Sequence, residues 1–203
     1  MTARPHKILT AYSLPFSLVF AALSLLPGLL IAQDHFNPKG FQPSSHTSSL
    51  QSALRDSLPF EDERDFEEAR RGFIAEPDSR QIIGAAGNIV WDMTRYDFLL
   101  TGEDHASIHP SLQRQATLNM NFGLFEVVPD FLYQVRGFDL ANMTLVKSDT
   151  GWIIFDTLLT DETAAAAFEL ATEQLGEFPI KAVVYSHSHI DHFGGVHGII
   201  DEA

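Results

Sequence analysis

The sequence predicts an α/β fold, and three observations carry that reading. Between Phe131 and Tyr185 the chain reads strand, strand, strand, helix, strand. Four of its nine histidines fall within residues 187–197, immediately after the last of those strands. Loops beyond the carboxyl ends of strands are where α/β folds place their chemistry. Finally, 203 residues with 45% apolar content are enough to bury one ordinary core.

Each element has its own signal. Phe131–Gly137 and Asn142–Lys147 alternate as strands do, and Asp149-Thr150-Gly151 marks the turn that follows. Trp152–Asp156 is apolar on both faces, which predicts a buried strand. Asp161–Leu175 predicts a helix: Thr160 or Asp161 can cap it, alanines fill it, and Gly176 follows its end. Pro179 leads into Lys181–Tyr185, expected as a second short buried strand.

Upstream the signals are weaker. Glu61–Arg71 opens on acids and closes on bases, matching the helix dipole, and predicts a solvated surface helix. Residues 74–103 read as a connector with one short strand, Asn88–Asp92, and Ser111–Asn121 reads as a helix entered at Pro110. Trp91, Tyr96, Phe98 and Leu99 are expected to be packing residues. Residues 33–60, rich in Ser, Pro, Gln and Asn, are expected to form a flexible leader. Before them, Arg4, His6 and Lys7 precede an apolar stretch from Ile8 to Ile31. Residues 1–32 read as a secretory signal peptide cleaved after Ala32, with an uncleaved membrane anchor as the other reading. Pro15, Pro27 and Gly28 interrupt the stretch and favour cleavage, which predicts a periplasmic or secreted protein with a net charge of −16.

Composition excludes several functions. There is no cysteine, so disulfide frameworks, thiolate nucleophiles and Cys-type structural zinc sites are excluded. The net charge of −14 and only 13 scattered basic residues argue against a nucleic-acid partner. An acidic protein also repels anionic substrates at long range, so an anionic substrate would need a local cation to overcome that field.

The chemistry concentrates in His187-Ser-His189-Ile-Asp191-His192. Residues two apart on an extended chain point the same way, so His187 and His189 can converge on one metal ion. Asp191 and His192 lie beyond a bend and can face a neighbouring position. A bound metal lowers the pKa of its water to about 7. Gly194-Gly195 lets the backbone pass close to the site. Three histidines and an aspartate in six positions make a coincidental polar loop the weaker reading. His197 is expected to support the site from behind or to lie on the surface, and His6, His35, His46, His105 and His109 are isolated. Asp156, at the end of a buried strand, either orients the histidine loop or caps the next turn.

The run His187-Ser-His189-Ile-Asp191-His192-Phe-Gly-Gly resembles the HxHxDH signature of the metallo-β-lactamase superfamily, which implies an αββα sandwich of two mixed sheets between helices. Tyr133-Gln-Val-Arg-Gly-Phe-Asp139-Leu-Ala-Asn142-Met-Thr144 and Asp149–Asp156 resemble the linear alkylsulfatases, which hydrolyse dodecyl sulfate and related surfactants. Arg71–Ala75, Val90-Trp-Asp92 and Pro110–Ala116 are similar to that family's amino-terminal extension, here residues 61–125. Thr157 departs from the family, which usually has proline there.

The resemblance implies a first Zn2+ on His187 and His189, a second on Asp191 and His192, and a catalytic part for Asp191. It implies an alkyl sulfate substrate and a homodimer in the full-length protein. Family members are several times longer and supply further acidic and histidine ligands downstream. Residues 126–203 are therefore expected to be the first half of the catalytic domain, inactive alone. The alternatives are a related hydrolase acting on a thioester, lactone or lactam, and a non-catalytic remnant.

Overall fold

The computed structural model describes residues 42–200. The apolar stretch read as a signal peptide lies outside them. Among the described residues no helix is long and apolar enough to cross a membrane.

The strands expected after Phe131 form in place. They are β5 (Leu132–Arg136), β6 (Met143–Lys147), β7 (Trp152–Phe155) and β8 (Ile180–Val184). They extend a sheet that begins with β1 (Phe73–Ala75) and β4 (Gly123–Val128), in the order β1-β4-β5-β6-β7-β8. Every pairing is antiparallel except the last, β7 with β8. A parallel pair needs a crossover, and helix α4 (Asp161–Leu175) supplies it. Two further strands, β2 (Gln81–Ile83) and β3 (Ile89–Asp92), make a separate antiparallel ribbon. The fold is thus α/β, and the described residues hold one large mixed sheet and one small ribbon.

Register explains the core. Tyr133 pairs with Leu145 and Leu145 with Ile154, so one row of buried side chains crosses three strands. Val135, paired with Met143, makes a second row. Ala164, Ala167, Leu170 and Ala171 of α4 join the same buried cluster. Alanines let the helix approach closely, and Trp152 fills the space left near Tyr133 and Phe178, edge-on to both rings.

Three expectations change. Residues 45–57, expected to be loose, form α1 (Ser45–Ser57), started by the Ser44 hydroxyl accepting from the Thr47 N–H. Serine disfavours helix interiors yet caps helices well, so composition alone misread the segment. The strand expected to be buried at 181–185 is instead largely exposed, with Val184 at 39% and Tyr185 at 46%. As the outermost strand of the sheet, β8 is flanked by β7 alone among the described residues. Tyr96 and Phe98 are also exposed rather than packed.

The remaining upstream elements are α2 (Arg64–Arg70), a 3-10 helix at Met93–Leu100, and α3 (Pro110–Leu118). Arg114 of α3 ties α2 down through the Asp65 carboxylate. Trp91 donates its indole N–H to the Gly137 carbonyl at 2.8 Å, docking β3 against the end of β5.

Candidate functional site

The site grows from the carboxyl ends of β7 and β8. After Phe155 the chain turns sharply, because Asp156 and Leu158 adopt left-handed backbone angles with φ of 60° and 64°. Aspartate tolerates this conformation, whereas for a buried leucine it is costly. The turn aims the Asp156 carboxylate across at the chain leaving β8.

Asp156 accepts three hydrogen bonds there. They come from the Ser186 N–H at 2.7 Å, the Ser186 hydroxyl at 2.8 Å and the His192 Nδ1 at 2.8 Å. Burial opposes the charge on this carboxyl, but the bonds from Ser186 and His192 outweigh it and hold its pKa below the usual value. Of the two roles open to Asp156, the structure shows the orienting one.

The second support is backbone. The Thr157 N–H donates to the His192 carbonyl at 2.9 Å, and the Gly195 N–H donates to the Leu158 carbonyl at 3.0 Å. This approach requires glycine. A Cβ on Gly195 would stand 2.3 Å from the Thr157 carbonyl oxygen and 2.4 Å from that of Thr160, and one on Gly194 would stand 2.3 Å from that of Leu159. Ile190–His192 and Val196–Gly198 then close as short 3-10 turns.

Held this way, the four residues singled out from sequence fall into two pairs. His187 Nε2 lies 3.1 Å from His189 Nδ1. His192 Nε2 lies 3.3 Å from an Asp191 carboxylate oxygen. The His187 and His192 rings are neighbours, with centroids 3.9 Å apart. His187 and His189 are exposed, while Asp191 and His192 are half-buried.

These spacings bear on metal binding. Two donors on one zinc, each about 2.0–2.1 Å from it in tetrahedral geometry, stand roughly 3.4 Å apart. Both pairs match that separation. With the His192 Nδ1–H donating to Asp156, the unprotonated Nε2 turns a lone pair toward an anionic oxygen. That contact is favourable only with a proton or a cation between the two atoms. The donor types and the pair spacings therefore fit a divalent metal, although among the described residues no three such side chains converge on one point.

Sequence reasoning missed Ser186. Its hydroxyl touches Asp156, lies 2.9 Å from His187 Nδ1 and 3.4 Å from His192 Nδ1, and so links the two halves of the cluster. A serine directly before the first histidine carried no separate signal. His197 is exposed, consistent with a surface position. His109 caps α3 by accepting from the Ser111 N–H.

Known proteins resemble this chain in two ways, by family pattern and by sequence and structure. The family pattern of the metallo-beta-lactamase superfamily matches residues 136–203. The likeness extends upstream of that segment. The (R)-specific secondary-alkylsulfatase of Pseudomonas sp is 52% identical over 160 residues, covering 79% of this chain and 24% of the relative. The alkyl/aryl-sulfatase BDS1 of Saccharomyces cerevisiae is 46% identical, covering 81% of this chain and 25% of the relative. The linear primary-alkylsulfatase of Pseudomonas sp is also 46% identical, covering 77% and 23%. Among solved structures, the stereoselective inverting sec-alkylsulfatase Pisa1 from Pseudomonas sp. superposes with a TM-score of 0.74 at 52% identity. That match covers 79% of this chain and 25% of the solved one. The expected resemblance to alkylsulfatases therefore holds across about four fifths of the chain, which spans about a quarter of the length of these relatives. A metallo-β-lactamase segment implies a divalent metal, in keeping with the paired donors.

Proposed function

We propose that the protein hydrolyses alkyl sulfate esters to alcohol and sulfate at a zinc centre held by His187, His189, Asp191 and His192. The observation that carries this is the pairing of donors at zinc-ligand spacing, His187 with His189 and Asp191 with His192, within a segment of alkylsulfatase likeness. One ion would sit on each pair, which makes this a two-zinc reading, and the described residues offer each ion two donors. When bound, zinc supplies an acidified water and a positive field for the ester anion. That field matters more here than in a neutral protein, because a net charge of −14 repels an alkyl sulfate from the surface at large.

The chain's own residues prepare the site. Asp156 accepts a hydrogen bond from the His192 Nδ1–H and so leaves Nε2 free to ligate. Ser186 holds Asp156 and His187 in a common arrangement. Gly194 and Gly195 bring the backbone against the 157–160 loop, which fixes where His192 stands. Asp191, whose carboxylate lies 3.3 Å from the His192 Nε2, is assigned the catalytic part. The reading includes a homodimer and a secreted or periplasmic location, the latter resting on Arg4 through Ala32.

The test is turnover by the natural gene product with zinc present. Sulfate release from dodecyl sulfate, with little hydrolysis of thioesters, lactones or β-lactams, is the expected outcome. Preference for any of those three substrates would favour another hydrolase of the same superfamily, and the absence of all four activities would overturn the proposal.

A further inference from the structure

Asp139 is a carboxylate in the wrong place for a surface charge. Only 6% of it is exposed, and among the described residues it forms no ion pair. A buried charge is tolerated only where hydrogen bonds replace its water. Three donors do so. One carboxylate oxygen accepts from the Leu159 N–H at 2.9 Å and the Thr163 hydroxyl at 2.8 Å, and the other accepts from the Leu140 N–H.

These donors matter because of what they belong to. Leu159 lies in the 157–160 loop, and Thr163 forms the reciprocal cap with Thr160 that closes the same loop onto α4. The loop's opposite side receives the histidine segment, through Thr157 N–H to the His192 carbonyl and Gly195 N–H to the Leu158 carbonyl. It also contains the left-handed Leu158, a conformation that persists only where its surroundings impose it. Among the described residues, Asp139 is the one charged group bonded to this loop from behind.

We infer that Asp139 is a positioning residue for the His187–His192 cluster, acting through the 157–160 loop. It touches none of the four site residues. Its effect on metal affinity rests on the zinc reading above, whereas its effect on the loop does not. A carboxylate suits the task because it accepts on both oxygens. Asparagine keeps one acceptor and turns a donor toward a donor at the other, so Asp139→Asn should retain part of the effect and Asp139→Ala should lose it.

The experiment uses the full chain and two readouts, with Leu170→Ala as the control. Leu170 is a buried residue of α4 and serves as a general destabilisation of the core. First, amide hydrogen exchange is measured at Thr157 and Gly195 without metal. Exchange in Asp139→Ala should be at least about tenfold faster than in Leu170→Ala at matched global stability, with Asp139→Asn between wild type and alanine. Second, cobalt(II) is titrated as a visible probe, and its affinity should fall roughly tenfold in Asp139→Ala but not in Leu170→Ala. Equal exchange rates in the two alanine variants would overturn the inference. Should Asp139→Ala fail to fold, Asp139→Asn and Thr163→Val carry the same comparison. A wild-type chain that takes up no cobalt would defeat the zinc reading, while the exchange rates would still decide the part played by Asp139.

Discussion

Asp156 leaves β7 in a left-handed conformation and accepts three hydrogen bonds, all from Ser186 and His192. Removing it frees the His192 ring to rotate and releases the tautomer. Asp156→Ala should weaken zinc binding by about 10–100-fold, the usual effect of losing a partner behind a ligating histidine, as measured by competition with a chromophoric chelator. Unchanged affinity would show that the loop backbone alone sets the ring. A second carboxylate makes a pH prediction away from the site. Asp92 accepts from the Thr94 hydroxyl at 2.6 Å, from the Thr94 N–H at 2.9 Å and from Gln81 at 3.1 Å. The Thr94 hydroxyl is the largest influence, partial burial acts against it, and the net effect holds the Asp92 pKa below its ordinary value. A carboxyl lowered in the folded state contributes stability that is complete above the unfolded value of about 3.9 and is lost as pH falls through the folded value. Thr94→Val should therefore move the Asp92 midpoint upward in an NMR-monitored titration, and a midpoint that stays put would contradict the assignment.

At the scale of elements, α4 and the glycine pair join the sheet to the site. Thr160→Ala removes the hydroxyl that accepts from the Thr163 N–H and should cost about 1 kcal/mol in denaturant unfolding. Gly195→Ala forces a Cβ against two carbonyl oxygens and should destabilise by about 1–3 kcal/mol, with zinc affinity falling alongside. Much of this was legible in the sequence. The cap, the alanine filling and the terminal glycine of α4 are local signals, and the helix spans Asp161–Leu175 as they predict. Likewise β5 and β6 alternate, so their buried positions could be read in advance. By contrast, β4 buries Leu124 and Phe125 in succession and has no alternation to read. Nor could the run Lys181-Ala-Val-Val-Tyr185 reveal that β8 is outermost in the described sheet, because strand order depends on long-range pairing. In the site, the four spaced residues were visible as a motif. Asp139 and Ser186 were not, because their partners lie 20 or more residues away or carry no pattern.

For the whole molecule, charge and chemistry oppose one another. On the proposed reading, a strongly acidic protein acting on an anion must gather its positive potential at one place, and the paired donors at the ends of β7 and β8 are where zinc would supply it. High salt screens the general repulsion over about a Debye length, so raising ionic strength should lower KM for short alkyl sulfates while leaving kcat unchanged. A rise in KM would mean that attraction, not repulsion, governs the approach. If residues 1–32 are a cleaved signal, as the proposed reading has it, amino-terminal sequencing of the mature protein should begin after Ala32. The most direct measurement is sulfate release from dodecyl sulfate by the chelator-treated natural gene product, with zinc added back, beside His187→Ala. The account predicts release that zinc restores in the wild type and cannot restore in His187→Ala, at unchanged melting temperature. Release that survives chelation, or that persists in the variant, would contradict it.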